Sequence, residues 1–220
     1  MRLALLGLPG AGKGTQAALL AGVAGVPHIA TGAIFRQAVA AGTPLGRQVQ
    51  AILEAGGLVP DAVTVDILRE RLAAADCARG FLLDGFPRTV AQGEALEGLL
   101  AGLGSPLERV VYLDVPEGRA VARLSGRRVC ARCGATYHLE ADPPSADGRC
   151  GRCGGPVVQR ADDAADVQRR RVATYRRDTE PLLGFYARRG LLLRIDGDRP
   201  MAAVAADLAA ATGVGDGAGG

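Results

Sequence analysis

The residues Gly7-Leu8-Pro9-Gly10-Ala11-Gly12-Lys13-Gly14-Thr15 carry the most legible chemistry in this 220-residue chain. A short apolar run, Leu3 to Leu6, precedes them, and Gln16-Ala17-Ala18-Leu19-Leu20 follows with the composition of a helix. Strand, glycine-rich loop and helix start are the parts of a phosphate-binding loop. Glycines let successive backbone N–H groups turn toward phosphate oxygens, and the helix N-terminus adds partial positive charge. Lys13 then reaches the terminal phosphates as a point charge. It is the only lysine in an arginine-rich chain, and a planar guanidinium is no equivalent in a crowded phosphate cradle. The common loop has Ser or Thr directly after its lysine. Here Gly14 intervenes and the hydroxyl belongs to Thr15, which leaves the contact of that hydroxyl with Mg²⁺ open.

Two further groups of residues have a chemical reading. In Phe81-Leu82-Leu83-Asp84-Gly85, a carboxylate ends an apolar strand. That is where an Asp holds Mg²⁺, directly or through water, beside a phosphate loop; an Asp that only opens a turn before Gly85 is the plainer alternative. Cys130-Ala131-Arg132-Cys133 and Cys150-Gly151-Arg152-Cys153 form two C-x-x-C pairs separated by sixteen residues. The spacing suits a four-cysteine zinc site. Four thiolates close the coordination shell, so the metal there is structural rather than catalytic. The alternative is four reduced cysteines without metal. Cys77 has no partner and reads as a small buried thiol, while His28 and His138 read as structural.

The elements that must position these groups follow from hydrophobic patterning. Arg2 to Leu6 is a buried strand, the helix after the loop runs to about Ala24, and His28-Ile29-Ala30 is a second strand. Helices follow from Thr31-Gly32 and, after Gly42-Thr43-Pro44, through Leu45, Val49, Ile52 and Leu53. Asp61 is the expected N-cap of a helix reaching about Ala74. After the Phe81 strand come a helix ending near Leu103, a strand from Arg109 to Val115 and a helix opened by Pro116. Asp162 is the expected cap of an arginine-rich helix that Pro181 kinks or breaks. Leu191 to Ile195 is the last strand, a final helix follows Pro200, and Val214 to Gly220 reads as a flexible tail. Strands alternating with helices predict an α/β domain with a parallel sheet, whose ligands bind at the carboxyl ends of the strands.

Between Arg127 and Gln159 the chain is rich in Gly, Pro and Cys and poor in Leu. Such a segment is an insertion with little core of its own. A bound zinc contributes roughly 10–16 kcal/mol in comparable peptides, enough to decide its folding. The net charge of +3 suits an anionic pocket better than a broad nucleic-acid surface. No signal peptide or bilayer-length apolar stretch is seen, so a soluble cytoplasmic protein is expected. Cysteines clustered in close pairs in such a protein point to metal rather than disulfides.

From Met1 to about Leu208 the chain resembles the bacterial adenylate kinases of the long form, with a zinc-bearing lid. The resemblance is carried by Gly7–Thr15, Thr31-Gly32 with Arg36, Leu58-Val59-Pro60, Phe81 to Thr89, Gly126-Arg127-Arg128-Val129, Arg160-Ala161-Asp162-Asp163 and Asp196-Gly197. It implies a P-loop nucleoside monophosphate kinase fold, a five-stranded parallel sheet flanked by helices with an inserted zinc lid. The implied organisation is a core of residues 1–29, 60–126 and 160–213, an AMP-binding subdomain at 30–59, a lid at 127–159 and a tail at 214–220.

The implied activity is reversible phosphoryl transfer from Mg·ATP to AMP, giving two ADP, by a monomer that uses neither nucleic acid nor membrane. Gly10, Ala11, Gly12, Lys13, Gly14 and Thr15 would hold the ATP phosphates. Arg123, Thr136 and Tyr137 would flank its adenine, with backbone near Arg199. Thr31, Gln92, Gly85 and the backbone at Gly57, Leu58 and Val59 would hold AMP, and Arg36 and Arg88 would clamp its phosphate. Arg127, Arg160 and Arg171 would neutralise the transferred group. Asp84 would place Mg²⁺, Asp162 and Asp163 would hold the closed lid, and Cys130, Cys133, Cys150 and Cys153 would bind Zn²⁺. Ala33 departs from the family's usual Asp, which bears on a local polar contact. Two rival readings are a kinase of this fold acting on GMP, UMP or CMP, and a zinc-ribbon nucleic-acid module on a P-loop scaffold. The second lacks interleaved aromatics beyond Tyr137.

Overall fold

The computed structural model describes residues 1–214. The chain runs β1 (Arg2–Leu6), α1 (Lys13–Ala24), β2 (His28–Ala30), α2 (Thr31–Ala40), α3 (Pro44–Glu54), α4 (Asp61–Leu72), β3 (Phe81–Asp84), α5 (Val90–Gly102), β4 (Arg109–Asp114) and α6 (Glu117–Gly126). An insertion follows with β5 (Arg127–Cys130), β6 (Thr136–His138) and β7 (Val157–Val158). The chain returns through α7 (Ala165–Thr174), α8 (Pro181–Ala187), β8 (Leu192–Asp196) and α9 (Met201–Thr212).

The main sheet has five strands in the order β2-β3-β1-β4-β8, and every pairing is parallel. Side chains alternate between the faces of a strand, and here both faces are apolar. Leu3, Leu5, Leu82, Val111 and Leu113 enter one core with α1 and α9. Ala4, Leu6, Leu83, Val110 and Tyr112 enter the other with α5 and α8. Each fully buried aliphatic side chain contributes about 1.5–3 kcal/mol by leaving water. A strand covered on both faces reads as a continuous apolar run, which is why its polar end residue, Asp84, stands out.

The insertion forms a separate antiparallel sheet, β6-β5-β7. Its core is Cys130, Ala135 and Cys150, with Tyr137, Cys153 and Val157 packed around them. Phe35 of α2, Val49 of α3 and Val59 centre a fourth cluster. No helix among the described residues is long and apolar enough to cross a membrane.

Three local expectations are corrected. Asp61 does not cap α4: Pro60 occupies the cap position and Asp61 starts the helix. Its carboxylate instead accepts from Thr89 Oγ1 at 3.0 Å and Gln92 Nε2 at 2.7 Å. Asp162 does not cap α7 either, because the helix starts at Ala165 after Ala164; Asp162 is held by Arg160 and Arg171. As expected, the arginine-rich helix is interrupted at Pro181: α7 gives way to a π-helical turn, Tyr175–Thr179, in which Glu180 N donates to Tyr175 O at 2.9 Å, and Pro181 starts α8. The wider turn absorbs the residue that lacks an N–H. Val214 is not part of a free tail: it packs on the first core and its N–H donates to Ala209 O at 3.0 Å. Residues 215–220 of the expected tail lie outside the described residues.

Candidate active site and metal centre

β1 delivers the loop to the carboxyl edge of the sheet, and α1 starts at Lys13. Gly10 and Gly12 both have φ +89°, a region that L side chains rarely adopt. At Gly10 space is also closed: a Cβ would lie 2.1 Å from the Ala120 carbonyl oxygen, so the loop seats on α6 only as glycine. Lys13 Nζ donates to the carbonyls of Gly7 at 2.7 Å and Leu8 at 2.9 Å, folding back over its own loop. Burial pulls the ammonium from 10.5 down to about 7; Asp84 opposes this, and Arg88, Arg171 and Arg127 add to it.

Asp84 ends β3 beside β1, with Leu5 as its register partner. Its Oδ2 lies 3.4 Å from His28 Nε2, and would lie 3.3 Å from a Cβ at position 14. Glycine at 14 therefore lets the carboxylate stand against the loop. Burial raises the Asp84 pKa, but the His28 hydrogen bond and the charges of Lys13 and Arg88 outweigh it and leave it below the usual range. A carboxylate kept ionised beside the phosphate loop is a donor set that fits a hard divalent cation.

The arginines converge on the same edge. Arg127 Nε donates to Asp163 Oδ2 at 2.8 Å, and its NH2 meets the other oxygen. Arg160 grips Asp162 in the same two-point manner. Arg171 reaches Asp162 at 3.1 Å and Asp163 at 3.4 Å. Burial lowers Arg171 and Arg36 to about 10, and the neighbouring cations add to the effect. Burial lowers Arg88 as well. Among the described residues, Lys13 and the five arginines Arg36, Arg88, Arg127, Arg160 and Arg171 thus gather around Asp84, Asp162 and Asp163. A desolvated excess of positive charge is a site for polyphosphate.

Toward α2, Thr31 Oγ1 donates to Gly85 O at 2.9 Å and Arg88 Nε to the same carbonyl at 2.7 Å. Gln92 is buried, accepting from Arg88 N at 2.7 Å while its amide donates to Asp61. Thr179 Oγ1 donates to Arg88 O at 2.8 Å. The backbone carrying Arg88 is therefore pinned on two sides. Gly57, Leu58 and Val59 follow α3, where a Cβ on neighbouring Gly56 would meet Arg171 Cγ at 2.8 Å.

On the other flank, Arg123 donates to Gly197 O at 2.9 Å and to Asp198 at 3.2 Å. The Arg199 side chain pairs with Asp207 on α9, which leaves only its backbone for the site. Thr136 is exposed on β6, and Tyr137 turns its hydroxyl to Cys150 Sγ at 3.2 Å. His28, Asp61 and Thr179 are members of the site that the sequence did not announce. Their partners are 56, 31 and 91 residues away, so no local spacing reveals them.

The four cysteines of the insertion form the metal centre. Their Sγ atoms all lie within 4.8 Å of one another, with Cys130–Cys153 at 3.5 Å and Cys133–Cys150 at 3.6 Å. Zn–S bonds of about 2.3 Å in a tetrahedron place sulfurs about 3.8 Å apart, so the set fits Zn²⁺. The Tyr137 hydroxyl is the main cause bringing the Cys150 thiol down to about 6. All four sulfurs are engaged with one another, and the closed set makes the metal structural.

Comparison with known proteins agrees with this geometry. The family model for adenylate kinase matches residues 5–191. The adenylate kinase of Moorella thermoacetica is 51% identical over 204 residues, covering 93% of this chain and 94% of that protein. That of Symbiobacterium thermophilum is 51% identical over 208 residues, covering 94% and 96%. That of Exiguobacterium sibiricum is 50% identical over 213 residues, covering 97% and 99%. With the loop, the ring of arginines and the four-cysteine insertion in place, the chain belongs to the adenylate kinase family.

Proposed function

We propose that the protein transfers the γ-phosphoryl group of Mg·ATP reversibly to AMP, giving two ADP. An oxygen of the AMP phosphate forms the new bond to the γ-phosphorus as the bond to the β,γ-bridging oxygen breaks, and no protein nucleophile is needed. The observation that supports this best is the excess of buried cations around the loop. Phosphoryl transfer is catalysed chiefly by positioning and by stabilising charge on the transferred group. Lys13 leaves the Gly7 and Leu8 carbonyls for the phosphates, and Arg127, Arg160 and Arg171 flank the transferred group. Arg36 and Arg88 hold the acceptor phosphate, aided by Thr31 and Gln92. Asp84 would hold Mg²⁺ through its hydration shell, and the ion would supply charge compensation for the phosphates.

Residues 127–159 act as the lid over the donor, and residues 30–59 as the acceptor-binding subdomain. Closure keeps water from the transferred group. Cys130, Cys133, Cys150 and Cys153 would hold zinc, which would tie the two cysteine pairs together and stiffen the lid without entering the chemistry. The protein works as a cytoplasmic monomer, since one chain supplies both nucleotide sites. The test is phosphoryl transfer from Mg·ATP to AMP, GMP, CMP and UMP with protein of known zinc content. ADP formation with AMP alone is expected. Transfer to another acceptor in preference would move the reading to that nucleotide, and no transfer from folded, metal-loaded protein would overturn it.

A further inference from the structure

Four thiolates around one divalent ion leave a net charge of −2, which a small, partly buried centre must offset through donors to sulfur. Cys133 N reaches Cys130 Sγ at 3.5 Å and Arg152 N reaches Cys150 Sγ at 3.4 Å. Apart from the cysteines themselves, the one side chain among the described residues that donates to a ligand sulfur is Tyr137, at 3.2 Å from Cys150. Its direction is set by a second bond. The Tyr137 oxygen accepts the Gly151 N–H at 2.9 Å, so its own proton is free to point at sulfur. The ring packs against the cluster of Cys130, Ala135 and Cys150, on which Cys153 and Val157 also pack, and this holds the hydroxyl in place.

We propose that Tyr137 is a working part of the metal centre: its hydroxyl donates to the Cys150 ligand and ties β6 to the second cysteine pair. The inference rests on the zinc reading of the four cysteines and does not depend on the phosphoryl acceptor. It gives Tyr137 a role beyond flanking a nucleotide. The strand that carries Thr136 and Tyr137 is joined to a metal ligand thirteen residues further along the chain, so the lid wall and the metal move as one body. Outer-shell partners of this kind hold their metals about 10–100-fold more tightly than variants lacking them.

Full-length protein is loaded with Co²⁺ to report thiolate-to-metal charge transfer, and zinc retention is measured against a chromogenic chelator. Tyr137→Phe keeps the ring and removes the donor. It is expected to shift the charge-transfer band and to lower zinc retention about 10–100-fold. Val157→Ala loosens the same cluster but leaves the donor, and is expected to leave the band in place. Replacing Tyr137 with 3,5-difluorotyrosine, a stronger donor of nearly the same shape, is expected to move the band opposite to Tyr137→Phe, and it serves even if the phenylalanine variant folds poorly. An unchanged band and unchanged retention in both Tyr137 variants, or equal shifts in Tyr137→Phe and Val157→Ala, would overturn the role. Absence of a tetrahedral cobalt spectrum in the parent protein would overturn the metal centre itself, and the role with it.

Discussion

Arg127 and Asp163 join the two ends of the inserted sheet. Arg127 is the first residue of β5, and Asp163 lies just beyond the return of the chain toward α7. The guanidinium fork meets both carboxylate oxygens, and the Asp163 side chain is fully buried. Arg171 shares that carboxylate at 3.4 Å, and Gln168 Nε2 donates to the Asp163 backbone oxygen at 2.6 Å. Removing one partner of a buried pair leaves the other charge uncompensated. Asp163→Ala is therefore expected to lose about 3 kcal/mol in urea unfolding and to lower phosphoryl transfer. Equal stability of variant and parent would show that the pair does not anchor the insertion.

Lys13 makes stability depend on pH in the nucleotide-free protein. Its folded pKa is about 7 against an ordinary 10.5. Between those values the unfolded chain binds a proton that the folded protein does not, so stability rises with pH across that window. The slope from one such group is at most about 1.4 kcal/mol per pH unit. Below pH 7 both states are protonated and the burial penalty is fully present. Urea midpoints of parent and Lys13→Met at pH 7, 8 and 9 should differ by a slope that vanishes when ATP supplies compensating charge. In turnover assays the same variant should lose a factor of about 10²–10³, the usual cost of removing one preorganised donor.

At the junction of α6 and β5, Gly126 and the His138 ring occupy adjoining space. A Cβ at Gly126 would lie 2.4 Å from His138 Nε2. The ring cannot easily swing away, because Nδ1 accepts from Glu140 N at 3.2 Å and Ala141 N at 3.3 Å. Gly126→Ala should displace β6 and reduce turnover, while Gly126→Ala with His138→Ala should recover most of the loss. The double-mutant coupling should be about 1–2 kcal/mol. Additive losses would mean that the two residues do not constrain one another.

Removing the metal should unfold the insertion before the main sheet. The insertion's cluster has three buried residues, Cys130, Ala135 and Cys150, against two extensive cores on the main sheet. Without metal it has too little buried apolar surface to offset its chain entropy. Hydrogen exchange of chelator-treated protein should show fast amides at 127–159 and protected amides in β1, β3 and β4. If turnover fell while those lid amides stayed protected, the purely structural role of zinc would be wrong.

Where chemistry and local spacing coincide, the amino-acid sequence alone determined the outcome. The loop from Gly7 to Thr15, the carboxylate closing β3, the paired cysteines and the strand–helix alternation depend on neighbours within a few residues, and all are found as read. Contacts across long separations were decided only by the tertiary structure. Asp61 looks locally like a helix cap, but packing of α4 on α5 brings it to Thr89 and Gln92, and those bonds take its carboxylate. Asp162 follows the same rule with Arg160 and Arg171. His28 acquires meaning because β2 pairs with β3, which places it within 3.4 Å of Asp84. The Tyr137 hydroxyl finds Cys150 only once the insertion has folded on itself. A short polar side chain bonds whichever partner the fold delivers, and the fold is set by apolar burial summed over the whole chain.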